Sequence, residues 1–247
     1  MRTLPLDEPA GVLIKTTCVD YPGLVAGSFF LRGCNLRCPY CYNSALVTPG
    51  TGQMNTIRDF FDLMEKRQGI LKGIVISGGE PLINPYTPVI IRKAREFGYK
   101  VKLDTNGTLP DPLEALLDSE ELRPDFIAMD IKTRPRRYGE LLCPTQTGLQ
   151  DTAHDFETAL KKSAALVSSL PCESREFRTV LVPPLVEKND IDEMARILPE
   201  DASWQFAQFQ NQGCLNPSYD EINPYTDDEA RKLVEYARTL IKGARLR

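Results

Sequence analysis

The 247-residue chain is 42% hydrophobic and 26% charged, with a formal net charge of -4. That composition supports a folded core of one or two domains and supplies no basic stripe for nucleic acid. The longest apolar run, Leu24–Leu31, is too short to span a bilayer, and MRTLPLDEPAG lacks the apolar centre of a signal peptide. The expectation is a cytoplasmic protein with no membrane or nucleic-acid partner.

In chain order, residues 1–20 read as a small β extension ahead of a single domain over 21–247. Strand patterns follow at 24–31, 72–76, 99–104, 125–131, 176–182 and 203–209. Helical periods lie between them at 56–68, 86–97, 111–120, 152–169 and 188–197, with a last helix at 226–241. Thr56, Asp111, Asp151 and Thr226 are the expected N-caps. Alternation of this kind implies an α/β fold with parallel strands and right-handed crossovers. Six strands predict a partial (β/α)6 TIM-like barrel with an open mouth. The chemically loaded segments RGCNLRCPYC, SGGEP, DTNG and MDIK all follow strand ends, where such barrels gather their active sites.

Seven cysteines and one histidine, His154, narrow the chemistry further. A single imidazole excludes zinc sites built on two histidines and disfavours a histidine-based triad. Cys34, Cys38 and Cys41 form a C-x3-C-x2-C loop. Three close thiolates suit three corners of an iron–sulfur cubane and leave the fourth iron open; a zinc knuckle or buried structural thiols are the alternatives. Cys18, Cys143, Cys172 and Cys214 show no ligand spacing and read as small buried hydrophobes. The paired glycines of Ser77-Gly78-Gly79-Glu80-Pro81 allow close backbone approach to a ligand, and also suit a plain tight turn. Asp104-Thr105-Asn106-Gly107 is an ordinary turn sequence as well. Asp130 and Lys132, two apart in a strand, share a face, as expected for a polar mouth or a solvated strand end. Arg178 lies in a strand, where arginine often only snorkels. No P-loop or G-x-G-x-x-G is present.

The C-x3-C-x-aromatic-C loop, with Tyr40 before its last cysteine, resembles the signature of the radical S-adenosylmethionine (SAM) superfamily. The resemblance implies a [4Fe–4S] cluster on Cys34, Cys38 and Cys41, with SAM chelating the open iron. Reductive cleavage of SAM then gives methionine and a 5′-deoxyadenosyl radical, which abstracts a hydrogen atom. SGGEP resembles the family's GGEP segment, which implies that Gly78, Gly79 and Glu80 meet the SAM amino group. Lys132 is implied for the SAM carboxylate or ribose, with Arg178 as a further contact. Asp104 and Asp130 are implied to flank the cofactor and to help hold a monovalent cation. Tyr40, Tyr42, Thr105, Asn106 and Gln210 complete the implied cofactor contacts. Tyr42 stands where histidine is frequent; Gln210 stands where some related enzymes carry histidine, and an amide there can hydrogen-bond but cannot titrate.

The segments Thr16–Leu24, Trp204–Gln210, Asn223–Thr226 and Ala244–Arg247 extend the likeness over nearly the whole chain. They resemble the longer activating proteins of anaerobic ribonucleoside-triphosphate reductases, which are similar to pyruvate formate-lyase activating enzyme. That implies a glycyl radical enzyme as partner and a flavodoxin or ferredoxin-type electron donor. Residues 42–142 contain no cysteine, so the ferredoxin-like insertion of some activases is absent. The alternative is a radical SAM enzyme acting on a small molecule, such as one resembling 7-carboxy-7-deazaguanine synthase.

Overall fold

The computed structural model describes residues 4–48, 50, 53–142 and 155–247. Among these residues nine strands appear: β1 (Pro9–Thr17), β2 (Ala26–Leu31), β3 (Asn55–Thr56), β4 (Gly73–Gly78), β5 (Lys100–Thr105), β6 (Phe126–Asp130), β7 (Arg175–Leu181), β8 (Trp204–Gln208) and β9 (Ala244–Leu246). Among the described residues seven α-helices accompany them: α1 (Ser44–Val47), α2 (Ile57–Lys66), α3 (Thr87–Glu96), α4 (Pro110–Asp118), α5 (Phe156–Ser168), α6 (Lys188–Ala195) and α7 (Asp227–Leu240). The α/β expectation is met by an open, parallel-dominated arrangement. All six predicted strands and all six predicted helices are present; β1 falls within the β extension expected over residues 1–20, and the two- and three-residue strands β3 and β9 are additional. Among the described residues, no helix is long and apolar enough to cross a membrane.

The chain divides into two compact units. The first takes the chain up to Cys34, Ala45–Thr105 and Pro112–Ile127; the second takes Asn35–Ser44, Asn106–Asp111 and Ala128–Arg247. Strand β6 contributes its first two residues to the former and its last three to the latter.

In the first unit the strand order is β3-β1-β2-β4-β5. β1 lies antiparallel on β2, which runs parallel to β4, and β4 parallel to β5. The register aligns Ser28 with Val75 and Val75 with Lys102, so one row of side chains crosses three strands on one face. Ile74, Val75 and Ile76 are fully buried, the continuous apolar run expected of a parallel strand covered on both faces. Helix α2 buries Ile57, Phe60, Leu63 and Met64, a stripe at helical spacing. Phe60 stacks on Phe29 of β2, with ring centroids 4.8 Å apart. Thr56 caps α2 through a reciprocal capping box with Asp59.

In the second unit β7, β8 and β9 run parallel. Trp204 is fully buried at the start of β8, its ring 4.5 Å from Phe206 and its Nε1 donating to Thr179 Oγ1 at 2.9 Å. The Thr179 hydroxyl donates onward to the carbonyl of Ile131 (2.7 Å), which leaves neither polar group of this core stranded. Helix α7 buries Ala230, Val234 and Ala237. Its N-cap Thr226 accepts from Glu229 N, and the Glu229 carboxylate accepts from Thr226 N at 2.8 Å. Thr226→Ala removes this box and is expected to cost about 1 kcal/mol, lowering Tm by about 2–4 °C in a thermal melt.

One N-cap expectation is corrected. Helix α4 begins at Pro110, whose fixed φ suits a first helical position, so Asp111 sits inside the first turn. Helix α5 is capped by Asp155, whose side chain accepts from Thr158 N (3.0 Å); Asp151 lies outside the described residues, as do Cys143 and His154.

Candidate functional site

In the first unit, the site residues gather where β2, β4 and β5 end. A Cβ on Gly79 would overlap the carbonyl oxygen of Gly33 and stand 3.2 Å from Cys34 Cβ. Gly78 adopts φ +114, and a Cβ there would overlap the Leu31 backbone. Gly79 N donates to Leu31 O and Glu80 N to Gly33 O, each at 2.8 Å. The paired glycines therefore seat the backbone leading into Cys34. Glu80 is fully buried, and its Oε1 accepts from Leu82 N (3.0 Å) and Thr105 Oγ1 (2.9 Å). Asp104 Oδ2 accepts from Ser77 Oγ at 2.9 Å, and its Oδ1 lies 2.8 Å from the ammonium of Lys102.

In the second unit, Asn106 and Thr108 bond to Asn35 of the cysteine loop. Asn106 Nδ2 donates to Asn35 Oδ1 (2.8 Å), and Asn35 Nδ2 donates to Thr108 Oγ1 (2.8 Å). Thr108 N and Oγ1 both donate to Asn106 Oδ1, at 3.0 and 2.6 Å. Cys38 and Cys41 bracket a tight turn in which Cys41 N donates to Cys38 O at 3.0 Å. Two more backbone bonds brace the loop: Arg37 N donates to Leu141 O (2.6 Å), and Asn216 N donates to Pro39 O (2.9 Å). Tyr40 is buried edge-on against Phe209, with centroids 6.5 Å apart. Its phenol is held well above the usual value by burial first and by the charge of Cys38 second. Tyr42 is 56% exposed.

Asp130 joins two cations of this unit. Its Oδ1 accepts from Arg178 Nε at 2.7 Å, and its Oδ2 lies 3.3 Å from Lys132 Nζ. Arg178 is thus engaged in an ion pair as well as lying along the strand. Burial lowers the Lys132 pKa, but Asp130, and after it Tyr40 and Cys38, outweigh that effect and hold it well above the ordinary value. Lys132 is consequently a fixed cation at neutral pH. Its backbone N donates to the Tyr138 hydroxyl at 2.9 Å, which locks the turn after β6. Gln210 lies beyond the end of β8 and is exposed.

The remaining cysteines divide. Cys214 is buried, with its thiol pushed up to about 11 by burial, then Asp220, then the charge of Cys41. Cys18 and Cys172 are exposed, which corrects their reading as buried hydrophobes. Cys172 precedes β7, where its Sγ donates to Asp201 Oδ2 (3.2 Å) and accepts from Arg175 Nη2 (3.4 Å). Sequence reasoning missed Asn35, Lys102, Thr108 and Tyr138, since each reads alone as an ordinary loop or strand residue.

The donor chemistry of the cysteine loop fits a cluster: three thiols within eight residues, each free of a disulfide. A loop seated on Gly79, where any side chain would overlap it, agrees with a fixed ligand position. Among the described residues, no three His, Cys, Asp or Glu side chains already stand grouped around a metal position.

Residues 28–198 match the Radical SAM superfamily, and the chain belongs to that superfamily. It is a radical SAM enzyme, and membership implies a [4Fe–4S] cluster and SAM as its cofactors. A provisionally named glycyl-radical enzyme activating enzyme of Methanocaldococcus jannaschii is 28% identical over 238 residues, 95% of this chain and 94% of that protein. A 7-carboxy-7-deazaguanine synthase of Aquifex aeolicus is 37% identical over 91 residues, 35% of this chain and 40% of that protein. Among solved structures, QueE from Escherichia coli superposes with a TM-score of 0.53 at 15% identity, covering 96% of this chain and 92% of that one, a likeness of fold.

Proposed function

We propose that this enzyme installs a glycyl radical on a partner enzyme. The observation that carries the reading is end-to-end similarity to the M. jannaschii activating enzyme, against a synthase similarity confined to about a third of the chain. In this reading Cys34, Cys38 and Cys41 hold three irons of the cluster. When bound, the cluster and SAM supply a 5′-deoxyadenosyl radical that takes a hydrogen atom from a glycine Cα of the partner. Gly78, Gly79 and Glu80 receive the SAM amino group, a cation suited to a buried carboxylate. Lys132 is the candidate contact for its carboxylate or ribose and Arg178 a further contact, with Asp130 paired to both cations. Asp104, Thr105 and Asn106 are further candidate cofactor contacts, as are Tyr40, Tyr42 and Gln210. A flavodoxin or ferredoxin-type protein supplies the electron.

The test is anaerobic. Reduced protein, SAM and an anaerobic ribonucleotide reductase-like glycyl radical enzyme are mixed and followed by electron paramagnetic resonance. A glycyl doublet that requires SAM is the expected result. Release of 5′-deoxyadenosine with no such signal on any glycyl radical enzyme tried would transfer the reading to a small-molecule substrate, which the local synthase similarity supports.

Lys132→Ala tests the SAM contact. Loss of one charge-assisted bond, worth about 1.5–3 kcal/mol, should weaken SAM binding about ten- to a hundredfold. The ligand thiols are untouched, so iron content should stay at the wild-type level. An unchanged SAM dissociation constant, measured calorimetrically without oxygen, removes Lys132 from the site.

A further inference from the structure

Lys102 lies in the buried middle of strand β5: 1% of its surface is exposed. A buried ammonium requires an anion beside it. That anion is Asp104, two residues on and on the same face of the strand, whose Oδ1 lies 2.8 Å from Lys102 Nζ. The ammonium also donates to the carbonyl of Asp20 (2.7 Å) and lies 5.7 Å from the centre of the Phe126 ring. Asp20 is fixed in turn, its Oδ2 accepting from Ser28 Oγ at 2.6 Å. Ser28 and Lys102 belong to the same row of side chains across β2, β4 and β5. One level higher, Ser77 Oγ holds the other oxygen of Asp104.

We propose that Lys102 is a built-in counter-cation for Asp104. Its tethered ammonium supplies the positive charge that an exchangeable monovalent cation would otherwise bring to that carboxylate, and it fixes the carboxylate in position. A second cation against Asp104 would meet the ammonium at like-charge contact distance. With the two side chains only 2% and 13% exposed, water screens little of that repulsion. Lys102 is thus a positioning residue acting through Asp104, and that carboxylate has no requirement for sodium or potassium. This inference rests on the reading of Asp104 as a cofactor-side residue.

Two measurements test it. The first is sodium-23 and thallium-205 magnetic resonance on cluster-free protein. Wild type should show no more cation binding than Asp104→Asn, whereas Lys102→Met should bind a monovalent cation at the vacated charge. The second is the SAM dissociation constant of the reconstituted enzyme in choline chloride and in potassium chloride at equal ionic strength. Wild type should be indifferent, and Lys102→Arg should behave like it. Lys102→Met should lose about tenfold or more in choline and recover in potassium. A wild-type cation site that Asp104→Asn abolishes would overturn the proposal, as would a Lys102→Met enzyme that potassium does not rescue. Should Lys102→Met not fold, the wild-type titration and Lys102→Arg still decide. The cation titration needs neither SAM nor a partner, so it can fail while the activase reading stands. A wild-type protein that binds no SAM would instead sink that reading.

Discussion

Cys38→Ser is expected to lose the cluster and all SAM cleavage together. Cys38 is the middle thiol of the loop and 7% exposed, in a turn closed by the Cys41 N to Cys38 O bond. Serine fills nearly the same space, so the cluster-free fold should survive with little change in Tm. Its hydroxyl stays protonated near neutral pH and is a hard donor, a poor substitute where soft thiolates are needed. Two thiols alone cannot occupy three corners of a cubane. Iron per chain after anaerobic reconstitution should approach background, and 5′-deoxyadenosine release should fall at least about a thousandfold, the scale on which an essential group is lost. Iron content near wild type would remove Cys38 from the ligand set.

Gly79→Ala should be the most damaging single methyl group in the first unit. Gly79 has no left-handed backbone that alanine would strain, so the effect is one of space alone. The atoms in the way belong to the Gly33 backbone, which is itself bonded to Glu80 N and cannot rotate aside as a side chain would. Overpacking of this kind costs about 1–3 kcal/mol, or roughly 2–12 °C in Tm for a chain of this size. The displaced segment leads into Cys34, so iron retention should fall as well. Gly139→Ala is the control: a Cβ there meets nothing within 4 Å, and its cost should stay within about 0.5 kcal/mol. Equal melting temperatures for the two variants would show that the close approach at Gly79 is dispensable.

The elements that sequence reading located are those with a period long enough to register. Strand β4 reads as a buried apolar run, and α2 and α7 as stripes bounded by Thr56 and Thr226. Strands β3 and β9, two and three residues long, hold no period, and they form only because β1 and β8 offer an edge. The cysteine loop was legible because thiols at that spacing have few other uses. Its supports were not. Asn35, Asn106 and Thr108 interlock through amide and hydroxyl bonds between residues up to 73 apart, which no local pattern encodes. Lys102 is the instructive miss. The opposite charges at i and i+2 that single out Asp130 and Lys132 recur at Lys102 and Asp104, but a lysine in a strand reads first as solvent-facing.

The Asn216 to Pro39 bond carries a consequence for biogenesis. The thiols of the metal loop leave the ribosome early, whereas the segment that clasps Pro39 is made near the end. At about 5–20 residues per second, the intervening chain takes roughly 10–35 s to synthesise. Throughout that interval the nascent cysteine loop lacks this downstream brace. A polypeptide halted before Asn216 should therefore be a poorer acceptor for an iron–sulfur scaffold than the finished chain.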